Sequence, residues 1–122
     1  MWDYRAQLVK IDDGDTIVIL ADQGFSGRQE EAIRLAGVSA PELRDPGGPE
    51  SRAFTEAWAG QLPLLRWPLY VVTQPNTNPE PMERRSFVRY VGTVYDYADR
   101  GRCLNADLAA FLAQHPEWGS GI

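Results

Sequence analysis

Residues 4–20 read YRAQLVKIDDGDTIVIL, with a strand pattern on either side of a polar turn. An alternation of apolar and polar residues begins at Tyr4, as in a strand with one buried face. After Leu8 the phase of this alternation slips by one residue, which predicts a β-bulge or a strong bend. Residues 12–15, Asp-Asp-Gly-Asp, predict a tight turn. Residues 16–20 are apolar and β-branched, and they predict a second strand.

The rest of the chain contains further strand patterns and two helix patterns. A Pro/Gly stretch ends at Pro49, and a proline suits the first turn of a helix. Asn105 lies near the start of the last helix pattern and Pro116 lies beyond its end. The predicted elements are strand 31–36, helix 49–61, strand 69–72, irregular loop 74–85, strand 87–97 and a helical stripe over 104–112. The residues expected on the buried face of the first helix are Phe54, Ala57, Trp58 and Leu62.

Three strands, a helix, two strands and a helix predict an α+β fold. A five-stranded OB-type barrel carries its helix between the third and fourth strands, and this chain has that order. We therefore expect a small, partly open OB-type β-barrel with a C-terminal helix. The 122 residues fit a single domain, residues 1–122, with its core at about 4–113 and a short C-terminal tail.

Composition excludes several classes of protein. Of the residues, 43% are hydrophobic and 11% aromatic, which supplies enough apolar surface for a folded core. No apolar run approaches the roughly 20 residues of a membrane helix, so we expect no membrane partner. The start of the chain has no charged stretch followed by an apolar one, and the single cysteine, Cys103, forms no internal disulfide. These features predict a cytoplasmic protein.

The formal net charge of -5 argues against a protein that coats nucleic acid by bulk electrostatics. It does not exclude a nuclease, because the formal sum omits any cation held by the acidic groups. Eleven of the twelve basic residues are arginines, and Lys10 is the only lysine. The arginine fork matches the geometry of phosphate, although codon bias in a GC-rich genome explains the same excess.

Two carboxylates and two arginines form the candidate chemical site. Asp15 and Glu42 carry the oxygen ligands that hard cations such as calcium take. Arg34 and Arg89 would grip a phosphate through paired N–H groups. Such groups meet the needs of phosphodiester hydrolysis, which are charge stabilisation at the phosphoryl oxygens and an oriented water.

Each of these residues also has a purely structural interpretation. Asp13-Gly14 is a common hairpin turn, which Asp15 would simply cap. Arg34 and Arg89 lie between apolar neighbours in strands, where a salt bridge to Glu42 would explain their presence equally well. The joint order of these residues along the chain favours the chemical interpretation.

This order resembles the staphylococcal nuclease (thermonuclease-like) family. The chain reads VKIDDGDT at 9–16, IRLAGVSAPE at 33–42 and GPES at 48–51, followed by the RYVGTVY run at 89–95 and LNADL at 104–108. The family pattern has the same pieces in the same order: Asp-Gly-Asp-Thr, an Ile/Phe-Arg-Leu, Pro-Glu, Gly-Pro-Glu-Ala, a final arginine strand and an Asn-x-x-Leu helix start. The similarity covers about residues 4–113.

The resemblance implies an OB-fold barrel that cleaves phosphodiester bonds of DNA or RNA with calcium. It assigns Asp15 and the carbonyl of Ala40 to the metal and Glu42 to the attacking water. It assigns Arg34 and Arg89 to the scissile phosphate, where they would stabilise the pentacoordinate state.

Departures from the family pattern lower the expected activity. Ser39 stands where the family has a metal-binding aspartate, so we expect weak calcium binding, or none. The residues before Arg89 differ from the family's Asp-x-Tyr-Gly-Arg, and the family's longer C-terminal helical region is reduced. By position along that helix, Trp118 falls near an aromatic that stacks on the nucleotide base.

Two functions follow for the chain. The first is a calcium-dependent endonuclease acting on DNA or RNA, more readily on single strands. The alternative is a weakened or inactive nuclease-like domain that binds single-stranded nucleic acid or a protein partner. The retained Asp15, Arg34, Glu42 and Arg89 favour the enzyme, whereas Ser39 and the net charge favour the binding domain.

Overall fold

A closed barrel of five strands forms the centre of the computed structural model, which describes residues 2–24, 27–74 and 90–118. Around the barrel the strands follow the order β1-β2-β3-β5-β4, and β4 pairs with β1 to complete the ring. The elements are β1 (Trp2–Asp13), β2 (Thr16–Asp22), β3 (Arg28–Leu35), α1 (Gly48–Gly60), β4 (Leu69–Gln74), β5 (Tyr90–Asp96) and α2 (Leu104–Ala113), followed by a 3-10 helix, Pro116–Trp118.

The α+β class and the five-stranded barrel of OB type are confirmed, but the barrel is closed rather than partly open. The length and bend of β1 explain the closure. Residues 2–6 of this strand pair with β4, and residues 6–13 pair with β2. The register shifts after Leu8 and again after Ile11, so the predicted bulge is present. One bent strand thereby serves two neighbours and leaves no open edge.

Element boundaries differ from the sequence prediction by a few residues. β3 begins at Arg28, three residues earlier than expected, because a run of exposed polar residues still pairs with β2. Predicted strand 87–97 is described from Tyr90 and ends at Asp96. Its first residues, and most of the predicted loop 74–85, lie outside the described residues.

The core lies inside the barrel, where alternate residues of each strand point inward. Fully buried side chains of these strands include Ile17, Ile19, Ile33, Val71 and Val94. Buried leucines of α2, at 104, 108 and 112, belong to the same cluster. Each such side chain contributes about 1.5–3 kcal/mol by its burial. Within the described part of the chain, no helix is long and apolar enough to cross a membrane.

The buried stripe of α1 differs from the predicted one. Trp58 is buried as expected, but Ala57 is exposed and the other two apolar residues are only partly buried. Ser51 and Thr55 are buried instead. Their hydroxyl groups make this possible, because Ser51 Oγ donates to Gly47 O at 2.7 Å and Thr55 Oγ1 donates to Gly14 O at 2.7 Å.

Candidate functional site

A cleft lies where the β1–β2 turn, the end of β3 and the loop before α1 meet. Its volume of about 480 Å³ falls in the range of ligand sites, roughly 300–1,000 Å³. The lining residues are Asp13, Asp15, Thr16, Arg34, Ser39, Ala40, Pro41, Glu42, Asp45, Pro46 and Trp118. Four of the predicted site residues, namely Asp15, Arg34, Ala40 and Glu42, are therefore together. Arg89 lies outside the described residues, and β5 is described from Tyr90.

Gly14 holds the acidic turn against α1. A Cβ atom at this position would lie 2.8 Å from Cβ of Ser51, closer than real side chains approach. The carbonyl of Gly14 also accepts the hydroxyl of Thr55. Gly14 is not among the glycines with positive φ, so its role is close approach of the backbone to the helix. The interpretation of Asp13-Gly14 as an ordinary hairpin turn misses this contact.

Asp15 connects the turn to the loop that follows β3. Its side chain is 8% exposed, and Oδ2 accepts the backbone N–H of Ala40 at 2.9 Å. Oδ1 accepts the hydroxyl of Thr16 at 3.2 Å, and the carbonyl of Asp15 accepts the N–H of Leu35 at 2.8 Å. Asp15 therefore does more than cap the turn, because it fixes the cleft wall that contains Ala40.

Arg34 forms its ion pair with Asp15. Nη2 lies 3.2 Å from Oδ2 of Asp15 and donates to the carbonyl of Val38 at 3.1 Å. Register explains the meeting, since Arg34 pairs with Thr16 across β2 and β3. The alternative interpretation, a structural salt bridge between Arg34 and Glu42, is wrong, because Glu42 pairs with Arg44. Nε of Arg34 is buried and has no hydrogen-bond partner among the described residues, while 38% of the side chain remains exposed.

Glu42 presents an exposed carboxylate at the rim of the cleft. Its side chain is 62% exposed, and Oε2 lies 3.1 Å from Nη2 of Arg44. Pro41 before it is buried, and the carbonyl of Glu42 accepts the N–H of Asp45 at 2.9 Å. The backbone of Glu42 is thus fixed, while its side chain faces solvent and is held only by a surface ion pair.

The cleft is acidic, and the pKa of Asp13 is raised there. Burial raises the pKa of Asp13 above its ordinary value of 3.8, and repulsion from Asp15 and Glu42 raises it further. A backbone hydrogen bond at Leu43 opposes this pKa shift without reversing it. A cation in the cleft would relieve the same repulsion.

The donor atoms of the cleft fit a hard divalent cation in kind. Carboxylates of Asp13, Asp15 and Glu42, the Ser39 hydroxyl and the Ala40 carbonyl are the oxygen ligands that calcium takes. Within the ranges that the structure describes, however, no group of three acidic, histidine or cysteine side chains is arranged to hold a metal ion. Asp15 is also shared with Arg34, so a cation would compete with the guanidinium for Oδ2. Weak calcium binding stays a prediction.

Trp118 forms one wall of the cleft. Its ring stacks on His115 with 4.0 Å between centroids and an interplanar angle of 7°, and it lies 5.7 Å from Phe111. On the other side it covers Gly47, which has a φ of 86° and where any Cβ would overlap the indole. His115 Nδ1 also lies 2.9 Å from a carboxylate oxygen of Glu117. Trp118 therefore lines the candidate site, and base stacking by its ring remains a prediction.

Comparison with known proteins adds no family assignment. No protein-family model matches the chain, and no curated protein matches it closely enough to show a relationship.

Proposed function

We propose that the chain is a metal-dependent endonuclease that hydrolyses phosphodiester bonds of DNA or RNA, with calcium as its cation. The observation that carries the proposal is the meeting of Asp15, Arg34 and Glu42 in one cleft of an OB-type barrel. The motif order of the resembled nuclease family supports the same assignment of roles.

Each residue has a role in this proposal. Asp15 and the Ala40 carbonyl would hold calcium, which supplies Lewis-acid stabilisation of phosphoryl charge when bound. Arg34, whose side chain is 38% exposed, would bind the phosphoryl oxygens, on which charge grows in the transition state. Glu42, exposed at the rim, would accept a proton from the attacking water. Arg89 is the second phosphate ligand in the proposal.

The test is a cleavage assay on labelled single-stranded DNA and RNA with calcium, magnesium or chelator. Arg34→Ala should lower turnover by about 10²–10³-fold, the usual cost of losing one electrostatic stabiliser. Glu42→Gln should lower turnover with little change in substrate affinity. Glu56→Gln is the matched control, because Glu56 is a 53% exposed carboxylate paired with Arg52 on α1, and it does not line the cleft. Absence of metal-dependent cleavage by the wild type would refute the proposal.

The alternative is a binding domain without catalysis. The Asp15–Arg34 ion pair favours it, because both carboxylate oxygens of Asp15 already have partners, and Ser39 brings no charge. In that case Arg34→Ala weakens binding to a labelled single strand at fixed salt. Glu42→Gln is then neutral or tightens binding, because a negative charge near phosphate is removed.

A further inference from the structure

Three tyrosines form a cluster on the outer surface of the barrel, where β4 and β5 pair. Tyr70 and Tyr95 are opposite each other in the register, with ring centroids 6.0 Å apart. Tyr97 approaches Tyr70 edge-on at 6.5 Å. Val71 and Val94, the strand neighbours of Tyr70 and Tyr95, are fully buried, so these two tyrosines point outward. We call Tyr70, Tyr95 and Tyr97 the tyrosine face.

Arginines are stacked on this surface. The guanidinium of Arg100 lies 3.9 Å from the ring centroid of Tyr70 and 5.4 Å from that of Tyr97. On the other side, Arg5 is paired with Tyr70 across β1 and β4 and lies 5.8 Å over the ring of Trp67. Arg66 also lies over Trp67, at 5.7 Å. Arginines and aromatic rings thus alternate across the tyrosine face and its edge.

Two guanidinium groups of this surface have no carboxylate partner among the described residues, whereas Arg5 is engaged by Asp22. Asp3 accepts the hydroxyl of Tyr70 at 2.8 Å and keeps its negative charge at the edge of the tyrosine face. Arg66 and Arg100 form no ion pair within the described part of the chain. A ligand would therefore meet two guanidinium groups and aromatic rings, with the Asp3 carboxylate beside them, on a chain whose net charge is -5.

We propose that the tyrosine face, with Arg66 and Arg100, binds single-stranded nucleic acid at a site separate from the cleft. Bases of any sequence stack on aromatic rings and on the plane of arginine, and guanidinium groups bind phosphate. The two sites share no residue. The choice of ligand rests on the proposed function, since a single strand entering the cleft is the substrate that a second contact would retain.

Fluorescence anisotropy in chelator tests this, with a labelled oligothymidylate of about ten nucleotides. Chelator prevents metal-dependent cleavage during the measurement. The double variant Arg66→Gln/Arg100→Gln should flatten the slope of log K against log[salt] by about 0.7 per arginine. Lys10→Gln is the control, because it removes an exposed charge of β1 that contacts Asp12 and lies outside the tyrosine face. Tyr97→Ala should weaken binding by about 5- to 150-fold, the range found when the aromatic side chain under one stacked base is replaced by alanine.

Circular dichroism shows whether each variant folds. If Tyr97→Ala does not fold, the single loop variant Arg100→Gln is measured in its place. Equal affinity and equal salt slope in the double variant and the wild type would overturn the inference, and so would the absence of oligonucleotide binding by the wild type. A surface that binds a protein instead of nucleic acid would give one of these two results. The nuclease proposal is judged separately, by cleavage with calcium. A chain that binds through the tyrosine face and cleaves nothing supports this inference and refutes the nuclease.

Discussion

Asn105→Ala should destabilise the fold by about 2.5 kcal/mol. The side chain of Asn105 is 7% exposed and joins α2 to the barrel where β3 and β5 pair. Its amide oxygen accepts the N–H of Val94 at 2.9 Å, and its amide nitrogen donates to the carbonyls of Ala36 and Gly92, each at 3.0 Å. Each bond contributes roughly 1 kcal/mol net. The gain in helix propensity from alanine offsets this loss by roughly 0.5 kcal/mol.

Urea unfolding followed by circular dichroism measures the change, with thermal unfolding beside it. The total stability of such a domain is about 5–15 kcal/mol, so the loss is large, and Tm should fall by roughly 10 °C. Gln114→Ala is the control, because Gln114 is an exposed amide at the end of the same helix. Asn105→Asp keeps the acceptor and loses the donors, so it should be at least as unstable at neutral pH and recover partly in acid. A loss below about 0.5 kcal/mol for Asn105→Ala, within the range of surface changes, would refute the reasoning.

Three further changes test the cleft. The raised pKa of Asp13 means that its ionised form destabilises the folded state as pH rises above 3.8. Asp13→Asn should therefore raise Tm at pH 7 and give no gain in Tm below pH 3.8. Equal gains in Tm at the two pH values would contradict this. Ser39→Asp should tighten calcium binding in titration calorimetry, and unchanged affinity would remove Ser39 from the metal shell. Gly47→Ala should cost about 1–3 kcal/mol and displace Trp118, seen as changed indole fluorescence, because φ is 86° and the ring fills the space of a Cβ. Gly60→Ala, with open space around it, is the matched control and should be neutral or stabilising.

Local patterns were sufficient to predict the strands, the bulge and the barrel. The slip after Leu8 appears in the sequence as a change of phase, and the register shift at the same place confirms it. Closure was not predictable in this way, because it depends on β1 bending far enough to pair with β4. That pairing joins residues more than sixty positions apart, and no local pattern records it. The buried stripe of α1 was missed because Ser51 and Thr55 are polar, and only their hydrogen bonds make burial favourable.

The four predicted site residues that the structure describes lie in one cleft, but the groups that they contact were not predictable. Motif order predicted that Asp15, Arg34 and Glu42 belong to one site. The ion pair of Arg34 follows from its register opposite Thr16, which places it beside Asp15 rather than Glu42. Asn105 lies near the start of its helix, as predicted, but no local pattern indicates its hydrogen bonds to the barrel. The tyrosine face was missed as well. Its signal is present in the sequence, as aromatic residues at the outward positions of strands whose alternate positions are buried.

The Asp15–Arg34 ion pair would couple the binding of the two proposed ligands of the cleft, phosphate and a cation. Nη2 of Arg34 is engaged by Asp15 and by the carbonyl of Val38, while the buried Nε–H has no partner in the described chain. An unpaired buried donor costs roughly 1–3 kcal/mol, and an anion that drew the guanidinium outward would remove that cost. The same movement would separate Nη2 from Oδ2 of Asp15 and leave that oxygen to a cation. Phosphate and cation would then favour each other's binding, because each compensates the partner that the other removes. Without phosphate, Arg34 neutralises the carboxylate that calcium would need. Beside the neutral Ser39, this is a physical reason to expect weak metal binding by the free protein.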